Sequence, residues 1–208
     1  MTTKIIKFFL PISLLFMSCV SNQVTDIKDS VIYNLDNYKI VIRAPKGLCI
    51  NNDLINEKEK VLSLILTECI KIANSNKLIR RPISSIITVK FQKQKGLNKF
   101  SKISDFIGST GKDLNYILGN NGQKINNSYQ KENTLFISMS KNNNNNALNT
   151  GNKFWKTFSL YDNILISTSA YGFSKKNNNR SSFKELEDKL QSIVNSIIIK
   201  KINNDLSV

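Results

Sequence analysis

The three cysteines carry the most distinctive chemistry of this chain. Cys19 follows a short apolar stretch that comes after Lys4 and Lys7 and ends at Ser18. A charged start, an apolar core and a small residue at the cleavage point are typical of a secretory signal peptide, and a cysteine directly after that point is typical of a bacterial lipoprotein. We therefore predict that residues 1–18 are removed and that Cys19 is the site of lipid attachment.

Two other interpretations of the N-terminus stay open. Phe16 stands where lipoprotein signals commonly have leucine, so an ordinary secretory signal without lipid is one alternative. A buried helix or strand is the other, although Pro11 removes a backbone donor from its middle. A membrane-spanning helix is disfavoured because it needs about 20 apolar residues. Val20, directly after Cys19, is not the aspartate that some bacteria use for inner-membrane retention, which favours the periplasmic face of the outer membrane.

Cys49 and Cys69 form an even pair once Cys19 is set aside. In the oxidising cell envelope such a pair is expected to form a disulfide bond. Two buried free thiols are the alternative. The spacing excludes a CxxC redox motif, and a metal site of two cysteines without histidine is disfavoured.

The chain contains no histidine. This excludes Ser-His-Asp and Cys-His catalysis and the common catalytic zinc sites. Serine–lysine or paired-carboxylate chemistry stays open in principle, but the acidic residues lie mostly in surface-like stretches. We therefore expect no enzymatic activity, no metal and no cofactor. Trp155, the single tryptophan, is expected to pack in the core, and stacking on a ligand is its alternative role.

The formal net charge is +15, from 30 Lys and Arg against 15 Asp and Glu. A nucleic-acid partner is disfavoured because the basic residues are dispersed and the predicted signal leads away from the nucleoid. The abundance of Lys, Asn and Ile is also what AT-rich codons produce. A solvated basic surface is the simpler interpretation, and attraction to anionic lipid or cell-wall polymer is the alternative.

The hydrophobic pattern predicts a tether over residues 19–29, a single domain over 30–200 and a polar tail over 201–208. Strands are predicted over residues 30–34, 38–44, 61–69, 84–91, 133–140, 154–161 and 164–170. The turn Asp36-Asn37 joins the first two of these strands, and the turn Asp162-Asn163 joins the last two. The segment 61–69 also fits helical spacing. Helices are predicted over 101–119, in two pieces, and over 182–199, where Ser182 and Glu185 form a capping box. The predicted fold class is α+β: a mostly antiparallel sheet covered by helices, with an amphipathic C-terminal helix.

The run from Arg43 to Asn51, RAPKGLCIN, resembles the AP-x-G-x-CID start of an uncharacterised family of alphaproteobacterial envelope proteins. Asn51 stands where that family has aspartate. The resemblance implies a Cys49–Cys69 disulfide and a strand over 61–69, and it implies no known activity. The order of elements, with a hairpin led by Trp155, also resembles the Mog1/PsbP-like fold, which implies a binding or assembly role. The signal and the composition are similar to those of spirochaete surface lipoproteins.

From these observations we expect a noncatalytic, membrane-anchored envelope lipoprotein that binds a partner protein or supports an assembly. The alternative is an envelope protein that binds lipid or cell-wall polymer in a cavity between the sheet and the terminal helix.

Overall fold

A computed structural model describes residues 27–58, 60–71, 78–80, 83–109, 123–141, 150–173 and 182–202. Cys19, the predicted signal peptide, the second predicted helical piece (110–119) and residues 203–208 lie outside these ranges. Their predicted roles therefore stay predictions.

One large antiparallel sheet forms most of the described structure. Its strands follow the order β1-β4-β5-β7-β11-β10-β9-β8, and β6 pairs with β5 beside this path. The strands are β1 (Ile27–Lys28), β4 (Leu48–Lys58), β5 (Val61–Lys71), β6 (Leu78–Arg80), β7 (Ser85–Lys93), β8 (Gln123–Lys131), β9 (Thr134–Lys141), β10 (Thr150–Tyr161) and β11 (Ile164–Phe173).

A second, three-stranded sheet has the order β12-β3-β2, with β2 (Ser30–Leu35), β3 (Tyr38–Arg43) and β12 (Ile197–Lys201). The described helices are α1 (Ile103–Ser109), α2 (Phe183–Ser196) and a 3₁₀ turn (Leu97–Lys99).

Alternating side chains explain why the strands form two-faced sheets. In β11, every second residue from Ile164 is buried and the residues between are half-buried. The buried set faces what we call the inner side of the large sheet, and the other set faces its outer side. Hairpin turns fix the register: Asp36, Glu132 and Asp162 each begin a two-residue turn with positive φ. The predicted turns at Asp36 and Asp162 are thereby confirmed.

The main core lies between the inner face of the large sheet and a second layer made of α2 and the small sheet. Its buried members include Ile40 and Ile42 of the small sheet, Leu64 and Val89 of the large sheet, and Leu190 of α2. The outer face of the large sheet is covered at one end by α1 and the 3₁₀ turn, through Leu97, Ile103 and Leu160.

The predicted fold class, an α+β domain with its sheet covered by helices, is wrong. The described residues are mostly β-structure, and a small sheet supplies much of the second layer. Part of the error lies at the C-terminal end. The predicted helix 182–199 begins with the predicted Ser182–Glu185 capping box, but it ends at Ser196. Residues 197–199 are three isoleucines, which favour strands because they branch at Cβ, and they pair with β3.

The predicted hairpins are confirmed, and the segment 61–69 is a strand, as part of β5. Five described strands were not predicted: β1, β4, β6, β8 and β12. For two of them, β4 and β8, the reason is a polar sequence. The second half of β4 carries Asn56 and Glu57, and β8 carries mainly Asn, Gln, Lys and Ser. Ile27–Lys28, in the predicted tether, pairs with β4. Within the described ranges, no helix has the length and apolar character needed to span a bilayer.

Candidate functional site

Cys49 and Cys69 form a disulfide bond between the neighbouring strands β4 and β5, with their Cα atoms 5.7 Å apart. Both residues are buried. This agrees with the predicted pairing. The bond joins β4 to β5 near one edge of the large sheet. Because both cysteines are buried, its role in the described structure is structural.

Trp155 lies on the inner face of the large sheet and is 5% exposed. Its indole N–H donates a hydrogen bond of 3.1 Å to the carbonyl oxygen of Phe183, and its ring stacks on the Phe183 ring at 5.1 Å. Tyr129 meets its edge at 6.1 Å. These contacts place Trp155 in the core and leave little of the ring accessible to a ligand.

A buried polar cluster joins α2 to the large sheet. The Glu68 carboxylate accepts hydrogen bonds from the Ser84 hydroxyl at 2.7 Å, from the Ser85 hydroxyl, and from the Lys189 ammonium at 2.9 Å. Burial by itself would raise the pKa of Glu68, but the hydrogen bonds from Ser85, Lys189 and Ser84 outweigh it and hold the pKa below its usual value. Lys189 also lies 2.9 Å from Glu185.

This cluster brings a serine and a lysine together, which is one of the two catalytic arrangements that the lack of histidine leaves open. The directions of its hydrogen bonds do not suit catalysis. Lys189 donates to the Ser85 oxygen at 3.1 Å, and the Ser85 hydroxyl donates to Glu68. A general base must instead accept the serine proton. Ser85 is also fully buried. The cluster therefore anchors α2 to the sheet.

The outer face of the large sheet carries a second polar group of residues. Thr88 and Lys90 of β7, Lys156 of β10, and Ser167 and Ser169 of β11 all point to this side, by the alternation of their strands. We call this group the lysine–hydroxyl face. Register places Ser169 between Lys156 and Thr88, on three neighbouring strands. Lys90 is exposed and the other four residues are half-buried.

Lys156 is a half-buried cation for which no carboxylate partner is found among the described residues. Its described contact is with the ring of Phe154, at 5.9 Å. Lys141 approaches the same ring at 5.5 Å and the Tyr171 ring at 5.0 Å. Burial, and then the charge of Lys141, lower the pKa of Lys156. An aromatic ring compensates only part of the loss of water around an ammonium group.

The outward positions described on β5, β7, β9, β10 and β11 hold no aspartate or glutamate. The row that contains Lys156 and Ser169 continues through Thr88 and Ile65 to Asn51 of β4. Asn51 is 6% exposed, and its Oδ1 has no hydrogen-bond partner in the described structure. Because position 51 is an asparagine and not an aspartate, this row holds no carboxylate that would compete with a ligand anion for Lys156.

A cavity of about 330 Å³ opens at the turn end of the sheets and is lined by Asp36, Lys60, Lys93 and Lys95. Asp36 forms an ion pair with Lys93. This cavity does not lie between the sheet and the terminal helix, which is the predicted place of a lipid or polymer cavity. The space beside α2 is occupied by core side chains such as Leu186, Leu190 and Ile193.

Neither the Glu68 cluster nor the lysine–hydroxyl face is predicted from the amino-acid sequence. A local signal existed for part of the face, because Thr88 and Lys90 alternate with apolar residues in a clear strand. No signal showed which strand lies next to β7. The pairing of β7 with β11 joins residues about 80 positions apart and creates the face.

No protein-family profile matches the sequence, and no match to a curated protein was found. Solved structures with a detectable likeness include a cyanobacterial PsbP (CyanoP) from Synechocystis, with a TM-score of 0.43 and 9% identity over 89% of this chain and 99% of that one. They also include the extracellular domain of PknH from Mycobacterium tuberculosis, with a TM-score of 0.36 and 9% identity over 82% of each chain. A PsbP is thus among the similar structures. Likeness at this level carries no argument about function, and the resemblance to an alphaproteobacterial family stays a prediction.

Proposed function

We propose that this chain is a noncatalytic, lipid-anchored binding protein of the bacterial cell envelope, and that its lysine–hydroxyl face binds an anionic envelope polymer. The observation that carries the proposal is Lys156, a half-buried ammonium group without a described carboxylate partner on a face without described acidic residues. An anion from outside the chain would compensate this charge. The Thr88 hydroxyl could donate a hydrogen bond to its oxygens, and the Ser169 hydroxyl could do so by leaving its present hydrogen-bond partner, Tyr171.

The spacing of the lysines favours a ligand with repeated charges. Lys156 and Lys90 lie two strands apart and are offset by two residues along the strands. Neighbouring strands are about 4.8 Å apart and each residue advances about 3.4 Å, so their Cα atoms are separated by roughly 12 Å. A single phosphate contacts both lysines only if their side chains bend toward each other. A chain of phosphate groups can place one charge near each lysine while passing Ser167 and Ser169.

The noncatalytic part of the proposal rests on the chemistry of the side chains. The chain has no histidine, and the serine–lysine pair of the Glu68 cluster has the wrong proton direction for attack. The anchored part rests on Cys19 and the preceding signal pattern. Mass spectrometry of the native N-terminal peptide should find a diacylglyceryl-modified Cys19. An unmodified N-terminus at Met1 would contradict both the anchor and the envelope location.

Binding can be tested by calorimetric titration of the mature chain (residues 19–208, Cys19→Ser) with inorganic polyphosphate as the probe. The face variant Lys90→Gln with Lys156→Gln should bind at least about tenfold more weakly, because close charge pairs dominate such contacts. The matched control is Lys124→Gln with Lys131→Gln on the edge strand β8, which makes the same change in net charge. Its affinity should change by less than about twofold.

Equal losses in the two variants would contradict the proposed face, since they would show an effect of net charge alone. Polyglutamate that binds more tightly than polyphosphate would favour the acidic segment of a partner protein over a phosphate polymer. Single inorganic phosphate should bind much more weakly than polyphosphate if repeated charges are required.

A further inference from the structure

The small sheet has an apolar outer surface that no described element covers. Ile32 of β2, Val41 of β3 and Ile198 of β12 lie side by side in register, on the side of the sheet that faces away from the core. Ile32 is 60% exposed and Ile198 is 40% exposed, whereas Val41 is half-buried. We call these three residues the aliphatic row. The residues next to them along the strands, such as Ile40 and Ile42, are fully buried in the core.

Basic residues flank the aliphatic row on both sides. Lys39 pairs with Lys200 in the next outward row, and Arg43 of β3 lies in the row on the other side. All three are exposed. The remaining outward positions of β2 are Ser30 and Asn34, so the described strands of this surface present no carboxylate. Asp29, directly before β2, accepts a hydrogen bond from the Ser30 hydroxyl at 3.3 Å and is an acidic residue beside this rim. An apolar centre with a cationic rim is the arrangement that matches a bilayer surface with anionic headgroups.

The described chain starts at an edge of the large sheet and continues directly into the small sheet. Ile27 begins β1, which pairs with β4 of the large sheet, and β2 of the small sheet starts at Ser30. Cys19 lies eight residues before Ile27, a distance of at most about 28 Å when fully extended. With lipid on Cys19, as proposed above, the domain is confined to the membrane surface, and the edge strand β2 is close to the point where the tether enters.

We propose that the outer surface of the small sheet docks on an anionic lipid bilayer, with the aliphatic row at the acyl boundary and Lys39, Arg43 and Lys200 at the phosphate level. The core separates this surface from the large sheet, so the two outer surfaces face in opposite directions. Docking through the small sheet therefore turns the lysine–hydroxyl face away from the membrane. The inference does not need a ligand on that face.

Vesicle sedimentation tests the proposal on the mature chain with Cys19→Ser, which retains every described element and has no lipid of its own. The chain should sediment with vesicles of phosphatidylglycerol and phosphatidylcholine, and far less with pure phosphatidylcholine. Ile32→Thr with Ile198→Thr should lower the partition coefficient at least about tenfold. Threonine keeps the branching at Cβ that suits a strand. The matched control, Leu54→Thr with Ile83→Thr, changes two other exposed aliphatic residues and should bind as the parent does.

The charge requirement is tested separately. Lys39→Gln with Lys200→Gln should also weaken binding by roughly tenfold or more, while Lys124→Gln with Lys131→Gln should have a small effect. The Lys90→Gln, Lys156→Gln variant should bind vesicles as the parent does. Loss of vesicle binding in that variant would place the membrane contact on the large sheet and overturn the proposal.

Two further results would also overturn it: no sedimentation of the parent chain with anionic vesicles, or equal losses in the aliphatic-row variant and its control. A dimer in the parent that becomes a monomer in the Ile32→Thr, Ile198→Thr variant, by sedimentation equilibrium, would assign this surface to a second copy of the chain instead. Polyphosphate binding is measured without vesicles, so failure of the proposed function and failure of this inference are distinguishable.

Discussion

Replacing Glu68 by glutamine should destabilise the protein far more than a similar change on the exposed side of α2. Glu68 is the acceptor for Ser84, Ser85 and Lys189, and the side chains of Glu68 and Lys189 are only 11% and 17% exposed. Glutamine keeps the size and one acceptor oxygen but removes the charge. Lys189 then retains its contact with Glu185, whose side chain is 49% exposed.

The expected loss follows from this geometry. Removing one partner of a fully buried ion pair costs about 3–5 kcal/mol. The partial exposure of this pair and the remaining contact with Glu185 reduce that figure, so we expect a loss of about 2–3 kcal/mol in the free energy of unfolding. For a chain of this size, such a loss lowers Tm by roughly 5–10 °C. Urea unfolding followed by Trp155 fluorescence measures it directly.

The pH dependence provides a second, independent measurement. The folded-state pKa of Glu68 lies below its usual value of 4.5. The stabilisation is therefore present above pH 4.5 and is lost as the pH falls through the lower folded-state pKa. The difference in stability between the parent and Glu68→Gln should be constant near neutral pH and should shrink under acid conditions.

Lys184→Gln is the control for this experiment. The Lys184 side chain is 71% exposed; it contacts Asp188, which is 59% exposed, at 3.1 Å, and Glu187, which is 16% exposed, at 3.2 Å. Water and salt screen an exposed ammonium group, and Glu187 keeps its hydrogen bond from the Tyr129 hydroxyl. The free energy of unfolding should therefore change by less than about 1 kcal/mol. Equal stability losses in Glu68→Gln and Lys184→Gln, or a loss from Glu68→Gln that is the same at acid and neutral pH, would refute the assignment of Glu68 as an ionised anchor.

Three other predictions concern single contacts. Reduction of the Cys49–Cys69 bond, with a sequence separation of 20, should lower the free energy of unfolding by about 3 kcal/mol, measured by urea titration with and without reductant; no change would contradict a structural role. Trp155, buried against Phe183, should emit at short wavelength in the folded protein and shift to longer wavelength on unfolding, and an exposed-type spectrum at neutral pH would contradict its placement. Lys156 has a lowered pKa, and a bound polyphosphate should raise that pKa and favour the charged ammonium form. An amine reagent should therefore modify Lys156 more slowly when polyphosphate is present. Mass spectrometry of the peptide gives the rate, and Lys153 is the reference whose rate should not change.

Local patterns were sufficient for much of the secondary structure. Alternating apolar residues located β7 and β11, Asp162-Asn163 located a tight turn, and the Ser182–Glu185 pair located the start of α2. These features depend on neighbours within a few residues, so a single sequence contains them. The polar strand β8 was missed because edge strands need little apolar surface. The C-terminal helix was extended too far because helical spacing alone does not weigh the pairing of β12 with β3.

Composition alone excludes some chemistry, since a chain without histidine cannot form the common catalytic triads or catalytic zinc sites. Elements whose signals are local can also be recognised in the amino-acid sequence. Which residues meet depends on the fold. Glu68 and Lys189 are 121 positions apart, and Lys90 joins Ser169 and Lys156 only because β7 lies beside β11. The physical reason is that the order of strands in a sheet depends on which pairing buries the most apolar surface. Segments that are distant in the sequence compete for these pairings, so a local pattern of residues does not predict the outcome.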